Sequence, residues 1–132
     1  MSQENIEVVR RAFEAWNAGD MDAFRELHDP DTVLQMADDW PEPGPYVGRE
    51  AVMREFEQLR QTWDRRDRSE LIGDFIDVGD RVLVRFIWRG AGQGPAAAVE
   101  LTSIWTVRDG CVLAADYFRD YAEALEILGL RE

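Results

Sequence analysis

Apolar positions along this chain recur every three or four residues through its first half and every second residue after about residue 68. Ile6, Val9, Phe13 and Trp16 stand at helical spacing behind Ser2, a residue type that caps helix N-termini, and the run closes at Asn17-Ala18-Gly19. A first helix is expected there. Asp20 caps a second, short helix that turns Met21, Phe24 and Leu27 inward and stops by Asp29-Pro30, because a proline ring disfavours helix at the residue before it. Residues 32–36 fit a short strand. Residues 37–48, ADDWPEPGPYVG, hold three prolines and two glycines and are expected to be irregular, a lid or rim loop. A third helix is expected over 49–66, burying Val52, Phe56, Leu59 and Trp63 at spacings of 4, 3 and 4.

The period then changes to two. Val82, Val84, Phe86 and Trp88 alternate with Arg81, Leu83, Arg85 and Arg89, and the preceding segment, 69–78, is placed to pair with them as a hairpin through the turn at Gly79-Asp80. A glycine-rich loop, GAGQGP, leads to a strand in which Val99, Leu101, Trp105 and Val107 share one face with Ser103, and Glu100, Thr102 and Thr106 share the other. Ser103 is thus a hydroxyl in an apolar row, either a core serine bonded to a neighbour or the polar spot of a cavity. Asp109-Gly110 is a hairpin turn into 111–119, completing a four-strand antiparallel meander. Asp120 and Glu123 open a last helix with Ala124, Leu125 and Leu128 apolar and Gly129 as its stop. Helices and one strand, then a sheet, then a helical tail make an α+β fold.

Composition narrows the function. A chain of 132 residues, 45% hydrophobic, has room for one core and is read as one domain over 1–132. With 15 basic against 27 acidic residues the net charge is −12, which argues against nucleic acid and anionic membrane surfaces as partners. Cys111 is the only cysteine, so no internal disulfide forms, and no apolar run of signal-peptide or membrane-spanning length is present; a soluble cytoplasmic protein is expected. One histidine, one cysteine and no clustered ligand spacing argue against a transition-metal site, and no cofactor is expected. His28, at the end of the second helix beside Asp29 and Asp31, is expected to favour its protonated form there.

The words EAWNAGDMDAF, YVGREAV, IDVGDRVLVRF, WTVRDGCV and YAEALEILGL, in that order, make the chain resemble the SnoaL-like branch of the nuclear transport factor 2-like superfamily over essentially its whole length. The resemblance implies a curved antiparallel sheet wrapped as a cone around three helices, with a largely apolar pocket at the wide end. It implies either a pocket protein for a small hydrophobic molecule, or an enzyme of isomerase, cyclase, dehydratase or epoxide-hydrolase type, or an interaction module. Laid on steroid isomerases of the superfamily, Ser103 falls at a protonated aspartic acid of the oxyanion hole, Gln35 at the base and Ala12 near the oxyanion tyrosine. All three have changed, which argues against steroid-type isomerisation: an amide cannot abstract a carbon-bound proton near neutral pH.

The pocket wall implied by this likeness comprises Trp16, Phe56, Trp63, Phe86, Trp88, Ser103 and Trp105, with Trp40 or Tyr46 of the loop over the mouth. The aromatics equally suit a plain core. In the last strand Leu113, Ala115, Tyr117 and Arg119 are expected to face the pocket, with Asp116 and Phe118 outside, unless a one-residue bulge exchanges the two sets. Tyr117 and Arg119 would then hold a carboxylate or enolate oxygen; in the other register Asp116 would be a general base of the kind that SnoaL-like cyclases use. Alternatively Arg119 pairs with a surface acid. The outer sheet face, with Leu83, Ile87 and Ile104 among charged and hydroxyl residues, is expected to form a homodimer interface.

Overall fold

Among the described residues helical periodicity and capping give four helices. The computed structural model describes residues 2–62, 68–90 and 97–130. Helix α1, Ser2–Ala18, buries Val9, Ala12, Phe13 and Trp16, and Gly19 ends it at a φ of 74°. Helix α2, Met21–Glu26, is capped by Asp20, whose Oδ1 accepts from the Ala23 amide at 3.1 Å. It ends with Leu27 as its C-cap, two residues short of Asp29. Helix α3, Arg49–Thr62, turns Val52, Phe56 and Leu59 into the core; Trp63 lies outside the described residues, as does most of the glycine-rich loop.

Strand β1 is longer than its apolar run, covering His28–Gln35 rather than 32–36. It gains these residues by running parallel to the last strand: Leu34 pairs with Ala115 and Gln35 with Asp116, while the Val112 amide donates to the Leu27 carbonyl at 2.7 Å. The register breaks between His28 and Val33, and Pro30, with no amide to give to a ladder, lies inside that break. The loop expected to be wholly irregular contains a two-residue strand β2, Tyr46–Val47, antiparallel to β1. Strands β3 (Arg68–Val78), β4 (Arg81–Gly90), β5 (Ala97–Arg108) and β6 (Cys111–Phe118) form the antiparallel meander, and the six-stranded order is β2-β1-β6-β5-β4-β3. Asp109 and Gly110 between β5 and β6 have φ of 53° and 78°, the paired positive values of a two-residue hairpin turn.

The curved sheet presents Val82, Val84, Phe86 and Trp88 of β4 and Leu101, Ser103, Trp105 and Val107 of β5 to the helices, all buried. In β6 Ala115 and Tyr117 face in, but a register shift opposite Thr106 and Val107 puts Val112, not Leu113, in the core. The bulge exchanges the faces only at the start of the strand. Helix α4, Tyr121–Ile127, lies on the outer face, where Ala124, Leu125 and Leu128 bury Leu83 and Ile104. Two of the three apolar residues that suggested an interface are therefore covered from within the chain, because a tail helix with an apolar stripe reaches them first. Among the described residues no helix is long and apolar enough to cross a membrane.

Candidate functional site

The inner faces of the sheet and helices meet in an aromatic cavity of about 30 Å³, room for one or two waters. Helix α1 contributes Ala12, Phe13 and Trp16, and the next two helices add Phe24, Phe56 and Leu59. The sheet side is Phe86, Trp88, Trp105 and Tyr117, with Ser69 and Met36 at the margins. Trp16, Phe56, Phe86, Trp88, Trp105 and Tyr117 of the expected wall thus stand together. Phe13, Phe24 and Met36 were not anticipated, although Phe13 and Phe24 already stood on the inward faces of their helices. The rings pack edge to face: Phe13 lies 5.2 Å from Phe86, Trp16 5.5 Å from Phe56 and 6.2 Å from Trp88.

Polar groups at this wall are few. The Trp16 indole N–H is buried with no hydrogen-bond partner. The Tyr117 phenol has no hydrogen-bond partner among the described residues, and burial pushes its pKa well above the usual tyrosine value. Ser103 is fully buried on the inner face, yet its hydroxyl accepts the Trp105 indole N–H at 2.7 Å and it is not part of the wall. It is the bonded core serine, not the polar spot of the cavity, since residues two apart on a strand share a face and the larger indole stands in front of the smaller hydroxyl.

Trp40 is not itself among the residues of the wall; its ring stacks on Trp88, which is, at 6.1 Å and 11°. The Arg119 guanidinium lies over the Trp40 ring at 5.4 Å while its Nε donates to Asp39 at 3.1 Å, so Arg119 fastens the loop from outside and does not enter the cavity. Gln35 also turns outward, because its neighbour Leu34 takes the inner face; its amide donates to the Pro43 carbonyl at 2.9 Å, beside the Met36 amide at 2.8 Å. At the loop's hinge, a Cβ on Gly44, whose φ is 93°, would lie 2.9 Å from the Tyr46 amide, so only glycine fits. Tyr46 donates to the Glu42 carbonyl at 2.7 Å and does not border the cavity. Asp116 stands on the outer face; burial pushes its carboxyl up against the opposing effect of Arg81. Gln35, Asp116 and Arg119 line an outer groove of about 250 Å³, which Met36 and Tyr117 of the cavity wall also border.

Trp40→Ala is expected to lower stability by about 1 kcal/mol, the scale of one stacked pair, while markedly weakening retention of an apolar ligand. Thermal unfolding and tryptophan-fluorescence titration measure the two effects; a loss of several kcal/mol with unchanged binding would make Trp40 a core residue.

His28 departs most from expectation. It opens β1 at 1% exposure, its Nδ1 lies 2.7 Å from the Phe24 carbonyl, and burial, aided by Arg49, lowers its pKa to about 4. The ring is neutral at pH 7 because desolvation outweighs the backbone hydrogen bond and the helix end. Among the described residues no group of three or more His, Cys, Asp or Glu side chains is placed to hold a metal ion.

A family model described as a SnoaL-like domain matches residues 9–115. No curated protein matches the sequence. Among solved structures, Bal32a from a soil-derived mobile gene cassette is similar at 23% identity, with 88% of each chain covered and a TM-score of 0.80. A nuclear transport factor 2-like protein of unknown function from Burkholderia pseudomallei is similar at 22% identity over 95% of this chain and 97% of its own, TM-score 0.75. A candidate polyketide cyclase from Sinorhizobium meliloti is similar at 25% identity over 89% of this chain and 98% of its own, TM-score 0.72.

Proposed function

This chain belongs to the SnoaL-like domain family, and we propose that it works as a pocket protein, taking a small hydrophobic molecule with an oxygen acceptor into its aromatic cavity. The observation that carries this reading is the wall itself: mostly aromatic, with the buried Trp16 N–H and, at the side shared with the outer groove, the Tyr117 O–H, neither with a partner among the described residues. A ligand carbonyl satisfies a buried donor that otherwise lacks a partner, and an aromatic wall supplies non-directional burial around it. An organic ligand needs roughly ten times the present volume, so uptake requires the wall to open, and the loop whose Trp40 stacks on Trp88 is the element we propose to move. The latch that holds this loop is an exposed ion pair and a cation–π contact, each worth about 1 kcal/mol or less.

The likeness to a candidate polyketide cyclase favours a second reading, an enzyme of isomerase, cyclase, dehydratase or epoxide-hydrolase type. Such chemistry needs a base beside the substrate, and Tyr117 is the one titratable group among the described residues of the wall. Its raised pKa suits a hydrogen-bond donor, not a base. Binding without turnover is therefore the reading adopted, with a cytoplasmic setting.

Tyr117→Phe tests it. Acetophenone and ethylbenzene, which share a phenyl ring and a two-carbon chain and differ in the carbonyl group, are titrated by tryptophan fluorescence. The variant is expected to bind acetophenone about five to ten times more weakly and ethylbenzene unchanged, with stability little altered, since the hydroxyl removed has no partner among the described residues. Unchanged acetophenone affinity removes Tyr117 from the site, and no binding of either compound overturns the pocket.

For assembly we propose a homodimer across the outer side of the sheet, with Ile87 of β4 and the half-exposed Ile127 of α4 as its apolar surface. Sedimentation at micromolar concentration is expected to show a dimer; monomer alone would refute it.

A further inference from the structure

Two donors at the cavity wall, the Trp16 N–H and the Tyr117 O–H, have no partner among the described residues, and beside the wall lies an acceptor in the same condition. His28 Nδ1 lies 2.7 Å from the Phe24 carbonyl, which can only accept, so the ring hydrogen sits on Nδ1 and Nε2 presents a bare lone pair. That Nε2 is buried and meets no hydrogen-bond donor. The imidazole centroid lies 4.6 Å from Phe24, 6.2 Å from Phe56 and 6.3 Å from Trp105, and these three rings are themselves part of the cavity wall. Among the described residues Arg49 is the charged group acting on His28, and it donates to the His28 backbone carbonyl at 3.3 Å, not to the ring. An orphan acceptor one ring deep, behind an aromatic wall that must rearrange to admit any organic ligand, has a role if the ligand brings the missing donor.

We propose that Nε2 of His28 is the second polar pole of the binding site and accepts a hydrogen bond from a ligand hydroxyl, so that the preferred ligand class is a flat hydroxyaryl ketone. The carbonyl lies at the Tyr117 and Trp16 donors and the hydroxyl at His28, with the aromatic body between them. This rests on the pocket reading above and adds the donor end of the ligand to it. No bond is made or broken. Affinity and orientation come from pairing each orphan group with its complement, and a ligand lacking the hydroxyl leaves Nε2 buried and unpaired.

The test compares 4-hydroxyacetophenone with acetophenone. The protein is expected to bind the hydroxy compound about tenfold more tightly, and His28→Phe is expected to bind both compounds with the affinity the unmodified protein shows for acetophenone. His28 is the only histidine, so in protein labelled with ¹⁵N at histidine its Nε2 resonance is read without assignment. That resonance is expected to move on adding 4-hydroxyacetophenone and to stay in place with acetophenone, a readout that holds even where His28→Phe does not fold. Acetophenone binding with no gain from the hydroxyl, or an unmoved Nε2 resonance, overturns the role of His28 and leaves the pocket standing. Failure of both ketones to bind overturns the pocket itself, and this proposal with it.

Discussion

Lowering the pH from 6.5 to 4 is expected to remove about 3 kcal/mol of folding stability through His28 alone. In the unfolded chain this imidazole takes a proton near its ordinary pKa of 6.5, whereas in the folded protein it resists protonation down to about 4. Between those values the unfolded state binds more protons than the folded one, so stability rises with pH. The contribution is complete above pH 6.5 and is lost as the pH falls towards 4. Its cause is desolvation among Phe24, Phe56 and Trp105, with Arg49 adding repulsion. Urea unfolding at half-unit pH steps measures the slope, and His28→Phe is expected to flatten it across this window. The raised carboxyls of Asp116 and Glu55 act with the opposite sign in both proteins, so the difference between the two curves isolates the imidazole. An unchanged slope in His28→Phe would show that the ring is solvated and protonates freely.

Trp105→Ala is expected to cost about 4 kcal/mol, a large part of what holds a domain of this size together. Trp105 is 2% exposed and lies 5.6 Å from Phe13 and 6.3 Å from both His28 and Tyr117, so removing it opens a void that touches an imidazole and a phenol at once. It also takes from the buried Ser103 hydroxyl its Trp105 partner. For the same reason Ser103→Ala costs more than a hydroxyl facing solvent would, about 1–3 kcal/mol, because the Trp105 N–H loses its acceptor. Ser103→Ala made on Trp105→Phe should cost clearly less, and the coupling in that cycle measures the buried bond. Equal costs in both backgrounds would show that the bond contributes nothing to stability.

The helices and the meander were legible because their signals are local. Ile6, Val9, Phe13 and Trp16 recur at the pitch of a helix, and Val82, Val84, Phe86 and Trp88 at that of a strand, and each set faces the core. Asp109-Gly110 declared its turn because both residue types readily accept the positive φ that a two-residue hairpin needs. The aromatic wall was legible for the same reason, since periodicity says which side chains point inward. Whether inward-pointing rings enclose a space or fill it is not a local property.

Local pattern determined, then, which residues form each element, which faces turn inward and which aromatics meet. Tertiary structure decided everything that depends on who stands next to whom. The parallel pairing of β1 with β6 joins segments some eighty residues apart, lengthens β1 and carries Gln35 to the outer face. The bulge in β6 selects Val112 over Leu113, while leaving Tyr117 inside. Helix α4 covers Leu83 and Ile104, which by sequence looked like an uncovered surface. His28 reversed its expected charge state because a helix end and two acidic neighbours act weakly through water, whereas burial among rings removes the water itself. Periodicity records the direction of a side chain along its own backbone; the dielectric around it, and the partner it finds, come from residues that only the fold brings close.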